Sequence, residues 1–73
     1  MDKTIYTKTY AHLIERLKKA RKQVNLKQID VARKLSRTQS YVSKFESGQS
    51  RLDIVQLKEI AQVYKKSLDY FIK

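Results

Sequence analysis

The sequence predicts an all-α protein, a compact domain of five short helices. Apolar residues recur at helical spacing along the chain, and no stretch alternates apolar and polar residues for long, as a half-buried strand would. The chain contains no Pro and a single Gly, Gly48. Its 73 residues allow one domain at most, and an apolar fraction of 41% suffices for one core. We therefore expect a mobile arm at residues 1–9 and a single domain at residues 10–73.

The first two helices are predicted from apolar spacing. Helix 1 is expected from roughly Tyr10 to Gln23, followed by Asn25, a residue that tolerates the left-handed conformation in which helices often end. Its apolar face comprises Leu13, Leu17, Ala20 and Val24. Helix 2 is expected from about Gln28 to Leu35, because the apolar set resumes there.

Helices 3 to 5 carry clearer start and stop signals. Thr38 is a good N-cap for helix 3, at about residues 39–47, and Gly48 is placed to end it. Asp53 and Gln56 form a capping box for helix 4. The stripe predicted to be buried on helix 4 is Ile54, Leu57, Ile60, Ala61 and Tyr64. Ser67 caps helix 5, where Leu68 and Phe71 face inward and leave Tyr70 and Ile72 as large groups on the remaining face.

Composition narrows the function classes. Seventeen Lys and Arg oppose seven Asp and Glu, a net charge of +10, so a polyanion is the natural partner: nucleic acid, an acidic membrane surface or an acidic protein. The absence of Cys excludes disulfides and thiolate metal sites, and His12 is the only His. We expect no metal, no cofactor and no membrane segment, and a cytoplasmic location. Without a Gly-rich phosphate loop or a nucleophile elbow, an enzyme is not expected.

Helices 2 and 3 carry the functional prediction. Only a short turn around Ser36 and Arg37 separates them, so they must cross steeply to share one core, which leaves one face of helix 3 exposed. That face has no apolar residue and no acid, and consists of Gln39, Ser40, Ser43, Lys44 and Ser47. A helix fits the major groove of DNA, where Gln can pair with adenine and Lys with guanine. From composition alone, a solvated polar face is an equally good interpretation.

The stretch from Leu26 to Gly48, LKQIDVARKLSRTQSYVSKFESG, resembles the helix-turn-helix of the Cro/C1-type (XRE-like) phage repressors and their bacterial relatives. The resemblance extends from Leu13 to Ile72 and includes LKEIAQVY and SLDYF. It implies a five-helix, lambda-repressor-like DNA-binding domain with the helix-turn-helix at helices 2 and 3 and helix 3 as the recognition helix. It implies a sequence-specific, double-stranded DNA-binding transcription regulator, a repressor that binds an inverted-repeat site as a homodimer.

The resemblance also assigns roles to residues. It implies that Gln28 contacts a phosphate, that Arg21 and Glu46 tie helix 1 to the recognition helix, and that Tyr70 lies at a dimer contact, where we add Ile72. Base contacts are implied for Gln39, Ser40, Ser43 and Lys44. Charge and position make Lys27, Arg37 and Arg51 further phosphate candidates. Ser36 departs from the family's usual Gly in the turn, and Lys27 from its usual Ser or Thr cap.

Three other functions fit the sequence less well than DNA binding. Family members also serve as antitoxins, controller proteins or co-regulators, so the main partner could be a protein. RNA binding lacks an aromatic platform on a sheet and a GXXG clamp. Binding to a membrane surface is disfavoured, because the basic residues are spread over several short helices.

Overall fold

The computed structural model describes residues 8–73 and confirms the all-α, five-helix prediction. Within this range there is no strand, and the helices are α1 (Lys8–Gln23), α2 (Gln28–Leu35), α3 (Gln39–Ser47), α4 (Ile54–Tyr64) and α5 (Leu68–Ile72). The bounds of α2 and α3 agree with those expected. Lys8 and Thr9, predicted to belong to the arm, instead form the start of α1. The remainder of the predicted arm lies outside the described residues.

The caps predicted for helices 3 and 4 are present as hydrogen bonds, whereas Ser67, the predicted cap of α5, makes no side-chain cap hydrogen bond. Thr38 Oγ1 accepts from the Tyr41 N–H at 3.2 Å, which caps α3. At α4 the Asp53 carboxylate accepts from the Gln56 N–H at 2.7 Å, and the Gln56 side chain accepts from the Asp53 N–H at 2.9 Å. Lys27 is the N-cap residue of α2, and its side chain has no oxygen that could accept a hydrogen bond from the first turn. Asp30 compensates in part, because its carboxylate accepts from the Lys27 N–H at 2.9 Å.

The ends of α1 to α4 share one geometry. A residue with left-handed backbone follows or ends each helix, and the next N–H donates to the carbonyl five residues back. These left-handed residues are Asn25, Ser36, Gly48 and Lys65. Asn25 and Gly48 are predicted by residue type, whereas Ser36 and Lys65 are not. Ser36, at φ 57°, takes the kind of backbone that the family's usual Gly would favour, so the turn between α2 and α3 keeps its left-handed conformation.

All five helices contribute to one core. Its largest fully buried members include Leu17, Val31, Phe45, Ile60, Tyr64 and Phe71. Tyr10 and Ile14 are also buried and extend the α1 face beyond the predicted set. Ile54 contradicts its predicted burial, since 64% of it is exposed. Ile54 is the first residue of α4 and the N-terminal end of the stripe. Helical periodicity gives the direction in which a side chain points, but it does not show whether a neighbouring helix covers it.

Candidate nucleic-acid interface

The polar face of α3 is exposed, and its apolar face holds the helix in the core. Val42 and Phe45 are fully buried and anchor the helix. The residues predicted to contact bases, Gln39, Ser40, Ser43 and Lys44, are all exposed, as is Ser47. The structure therefore brings the four predicted base contacts together on one surface of a short, rigidly packed helix.

The one acidic residue of α3, Glu46, points away from this surface. It is 5% exposed, and its carboxylate accepts from Arg21 Nε at 2.7 Å and from Arg21 Nη2 at 3.1 Å. Arg21 also donates through Nη1 to the Leu26 carbonyl at 3.0 Å. The hydrogen bond to Glu46 raises the pKa of the Arg21 guanidinium, so Arg21 stays charged. The pair joins α1 to α3 and leaves the outer face of α3 without negative charge.

Gln28, predicted to contact a phosphate, is part of the same network. Its side chain is half-buried, and Nε2 donates to Glu46 Oε1 at 3.0 Å. A carboxylate only accepts hydrogen bonds, so the Gln28 amide nitrogen, and not its oxygen, must face Glu46. The amide nitrogen carries a second N–H, which suits a donor to phosphate. The orientation of Gln28 is therefore set from inside the protein.

The three cationic phosphate candidates are exposed, and each has a different local setting. Lys27 is at the start of α2, where the unpaired N–H groups of a helix favour anions. Arg37 lies in the turn before α3, with Cζ 5.0 Å from the centre of the Tyr41 ring. Arg51 lies in the loop after α3, with Cζ 4.7 Å from the centre of the Tyr10 ring.

Tyr10 is a site residue that sequence reasoning missed. Its hydroxyl donates to the Ser50 carbonyl and accepts from the Leu52 N–H, both at 3.3 Å, so it holds the backbone on either side of Arg51. The spacing of Tyr10, Ile14 and Leu17 is helical and could have indicated that Tyr10 is buried. No local pattern, however, indicates a contact between residues 40 positions apart.

The two predicted dimer residues have different environments. Ile72 is 64% exposed. Tyr70 is half-buried, and two cations lie against its ring, Arg16 Cζ at 4.9 Å and Lys66 Nζ at 4.6 Å from the ring centre. The Tyr70 hydroxyl is buried and has no hydrogen-bond partner among residues 8–73. Ile72 is thus free to meet a partner, whereas much of Tyr70 is already covered.

Two further observations concern residues 8–73 as a whole. No group of three or more His, Asp or Glu residues within them is arranged to hold a metal ion. None of their helices combines the length and apolar character needed to cross a membrane.

Comparison with known proteins identifies a family for most of the chain. Residues 17–71, from the middle of α1 to the last turn of α5, match a family model described as helix-turn-helix. The matched range includes α2, α3 and the turn between them. No curated protein and no solved structure matches the chain.

Proposed function

Because the chain belongs to the Cro/C1-type helix-turn-helix family of DNA-binding transcription regulators, we propose that it reads a specific double-stranded site with α3 in the major groove. Helix-turn-helix proteins place the N-terminal residues of the recognition helix against base edges. In this chain those residues are Gln39 and Ser40, followed one turn later by Ser43 and Lys44.

The observation that carries this proposal is the inward orientation of Glu46. DNA presents a dense array of phosphate charge, so an exposed carboxylate on the recognition helix would be repelled. Burial of Glu46 against Arg21 removes that charge from the surface, and the exposed groups left on α3 are hydrogen-bonding or cationic. A merely solvated helix face would have no need for such an arrangement.

The phosphate contacts follow from positions around α3. We propose that Lys27 and Gln28 bind the backbone from the start of α2, and that Arg37 and Arg51 do so from the segments that flank α3. Lys27, Arg37 and Arg51 are exposed, and Gln28 is held with an N–H donor available beyond its bond to Glu46. These contacts fix register and contribute affinity, whereas α3 supplies the sequence preference.

A single α3 reads only a few base pairs, so we also propose a homodimer on an inverted-repeat site, acting as a repressor by occupying that site. Ile72 supports this proposal more directly than Tyr70, since Tyr70 is partly covered by Arg16 and Lys66. Ile72→Lys should leave the helical content unchanged, weaken operator binding and remove its cooperativity. Selected sites without an inverted repeat, or an Ile72→Lys variant with full operator affinity, would exclude this dimer.

The decisive experiment for the proposal is selection of bound sites from random duplex DNA, followed by titration of variants. Gln39→Ala should cost about 1–3 kcal/mol on the selected site if Gln39 pairs bidentately with a base. Its affinity for random DNA should change little. The matched control is Gln62→Ala, an exposed Gln on α4. Equal losses on specific and random DNA would show that Gln39 does not read bases.

One observation favours a second candidate, a module whose main partner is a protein, as in antitoxins, controllers and co-regulators. Ile54 and Val55, adjacent in the first turn of α4, are 64% and 62% exposed. If a partner protein covers them, Ile54→Lys with Val55→Lys should leave DNA binding by the isolated protein unchanged. Loss of sequence-specific DNA binding in that double variant would argue against a separate partner surface.

A further inference from the structure

We propose that Tyr10 is a positioning residue for the DNA-backbone contact made by Arg51. This inference rests on the proposed function, because it concerns how the loop at residues 49–53 meets DNA. Tyr10 lies in the first turn of α1, remote in sequence from the helix-turn-helix. It contacts this loop in two ways, through its hydroxyl and through its ring.

The hydroxyl fixes the backbone of the loop. It donates to the Ser50 carbonyl and accepts from the Leu52 N–H, so it uses both its donor and an acceptor position on the residues that bracket Arg51. Tyr10 itself is only 8% exposed and lies on the buried face of α1, so its ring is held by the fold. The six residues that connect α3 to α4 would otherwise form an ordinary surface connection, the type of segment that is usually mobile.

The Tyr10 ring restricts the Arg51 side chain. The Arg51 guanidinium lies 4.7 Å from the centre of the Tyr10 ring, a separation typical of a cation–π contact. Arg51 is exposed, and an exposed Arg side chain loses considerable rotamer freedom when it is immobilised on a ligand. Contact with Tyr10 restricts that freedom before DNA arrives, which is how preorganisation raises affinity.

A structural role for Tyr10 would produce a different pattern of effects. If Tyr10 only filled the core, changing it would lower the free energy of unfolding and would weaken DNA binding whether or not Arg51 is present. If Tyr10 acts through Arg51, removing its hydroxyl should matter only while Arg51 is there. The two interpretations are therefore separated by the coupling between the residues in DNA binding.

The test compares wild type, Tyr10→Phe, Arg51→Ala and the double variant in titrations of duplex DNA. The salt concentration is varied between about 0.05 and 0.3 M, because a protein with about six to ten phosphate contacts loses about three to five decades of affinity near this range. Tyr10→Phe keeps the ring and deletes both hydrogen bonds. The control is Tyr64→Phe, which deletes a buried hydroxyl that has no hydrogen-bond partner. Far-UV circular dichroism and urea unfolding check that each variant is folded.

Arg51→Ala should lower the magnitude of the log–log salt slope by about 0.9 per bound copy and the affinity near 0.15 M salt by about fivefold. Tyr10→Phe should lower both in part, Tyr64→Phe should change neither, and Tyr10→Phe added to Arg51→Ala should have no further effect. A wild-type slope in Tyr10→Phe, or additive losses in the double variant, overturns this inference and leaves the proposed function intact. Absence of salt-dependent binding by the wild-type protein overturns both.

Discussion

The ion pair between Arg21 and Glu46 allows the sharpest test of how this small domain holds its recognition helix. Glu46 accepts two hydrogen bonds from Arg21 and one from Gln28, and the Arg21 and Glu46 side chains are 14% and 4% exposed. The perturbations are Arg21→Met, which removes the cation, and Glu46→Gln, which removes the charge and nearly preserves the shape. The double variant completes the cycle.

The two single substitutions should lower the free energy of unfolding by different amounts. Arg21→Met leaves a buried carboxylate with Gln28 as its remaining donor, and breaking a buried pair in this way costs about 3–5 kcal/mol. Glu46→Gln leaves an Arg21 that keeps its bond to the Leu26 carbonyl and some contact with water, so about 1.5–3 kcal/mol is expected. A domain of this length has a total stability of about 4–11 kcal/mol. The pair is thus a large part of what keeps α3 attached to α1.

The assay is urea unfolding followed by far-UV circular dichroism, at 0.15 M and 1 M salt. The coupling energy between Arg21 and Glu46 should be at least about 2 kcal/mol at both salt concentrations, because burial limits screening. The chain offers a matched control in Glu15 and Lys18, an exposed pair on α1 with 3.9 Å between its charged atoms. Its coupling should be about 0–1 kcal/mol and should vanish at 1 M salt. An Arg21–Glu46 coupling no larger than that of the control would refute the reasoning.

Three further predictions follow from individual features. Ser36→Gly should raise the free energy of unfolding by about 0.5–1 kcal/mol in urea titrations, because a left-handed non-Gly residue costs about 1–2 kcal/mol and the added freedom of Gly offsets part of that; a destabilised variant would contradict it. Tyr64→Phe should raise the stability at pH 7 by about 1 kcal/mol, since the deleted hydroxyl has no partner. Burial raises the pKa of Tyr64, so above about pH 10 the unfolded chain releases a proton that the folded protein keeps. The free energy of unfolding of wild type should therefore fall, relative to that of Tyr64→Phe, by up to about 1.4 kcal/mol per pH unit. Parallel stability curves for the two proteins between about pH 8 and 11 would exclude this. Operator binding by a dimer that neutralises roughly 6–10 phosphates should show a log–log salt slope of about −5 to −9, and a flat response would remove the DNA-binding proposal.

The helices and the caps of α3 and α4 could be predicted because they depend on neighbours in sequence. Thr38 and Asp53 bind N–H groups three residues away, and both caps are confirmed. The outward-facing set on α3 likewise follows from helical periodicity once Val42 and Phe45 are assigned to the core. The exposure of Ile54 could not be predicted in this way, because it depends on where the neighbouring helices end.

The candidate site could be predicted only in part. The resemblance to the family implied the residues that meet DNA, and the exposed positions of Gln39, Ser40, Ser43 and Lys44 are consistent with base contacts, which stay a prediction. The same resemblance suggested the pairing of Arg21 with Glu46 but not the donor bond from Gln28 to the same carboxylate. Tyr10 was absent from every predicted site, although it contacts the loop that carries Arg51.

By itself, the sequence determined the fold class, the order of the five helices and the composition of the face that α3 presents. These properties come from periodicity, capping and charge, which act over a few residues along the chain. Only the tertiary structure shows that the Glu46 carboxylate is buried against Arg21 and that Tyr10 binds the loop between α3 and α4. It also shows that Ser36 and Lys65 adopt a left-handed backbone conformation. Those outcomes required helices distant in sequence to pack on one core. In an open chain an Arg or a Tyr has many polar groups within reach, and only the packed arrangement determines which of them it binds.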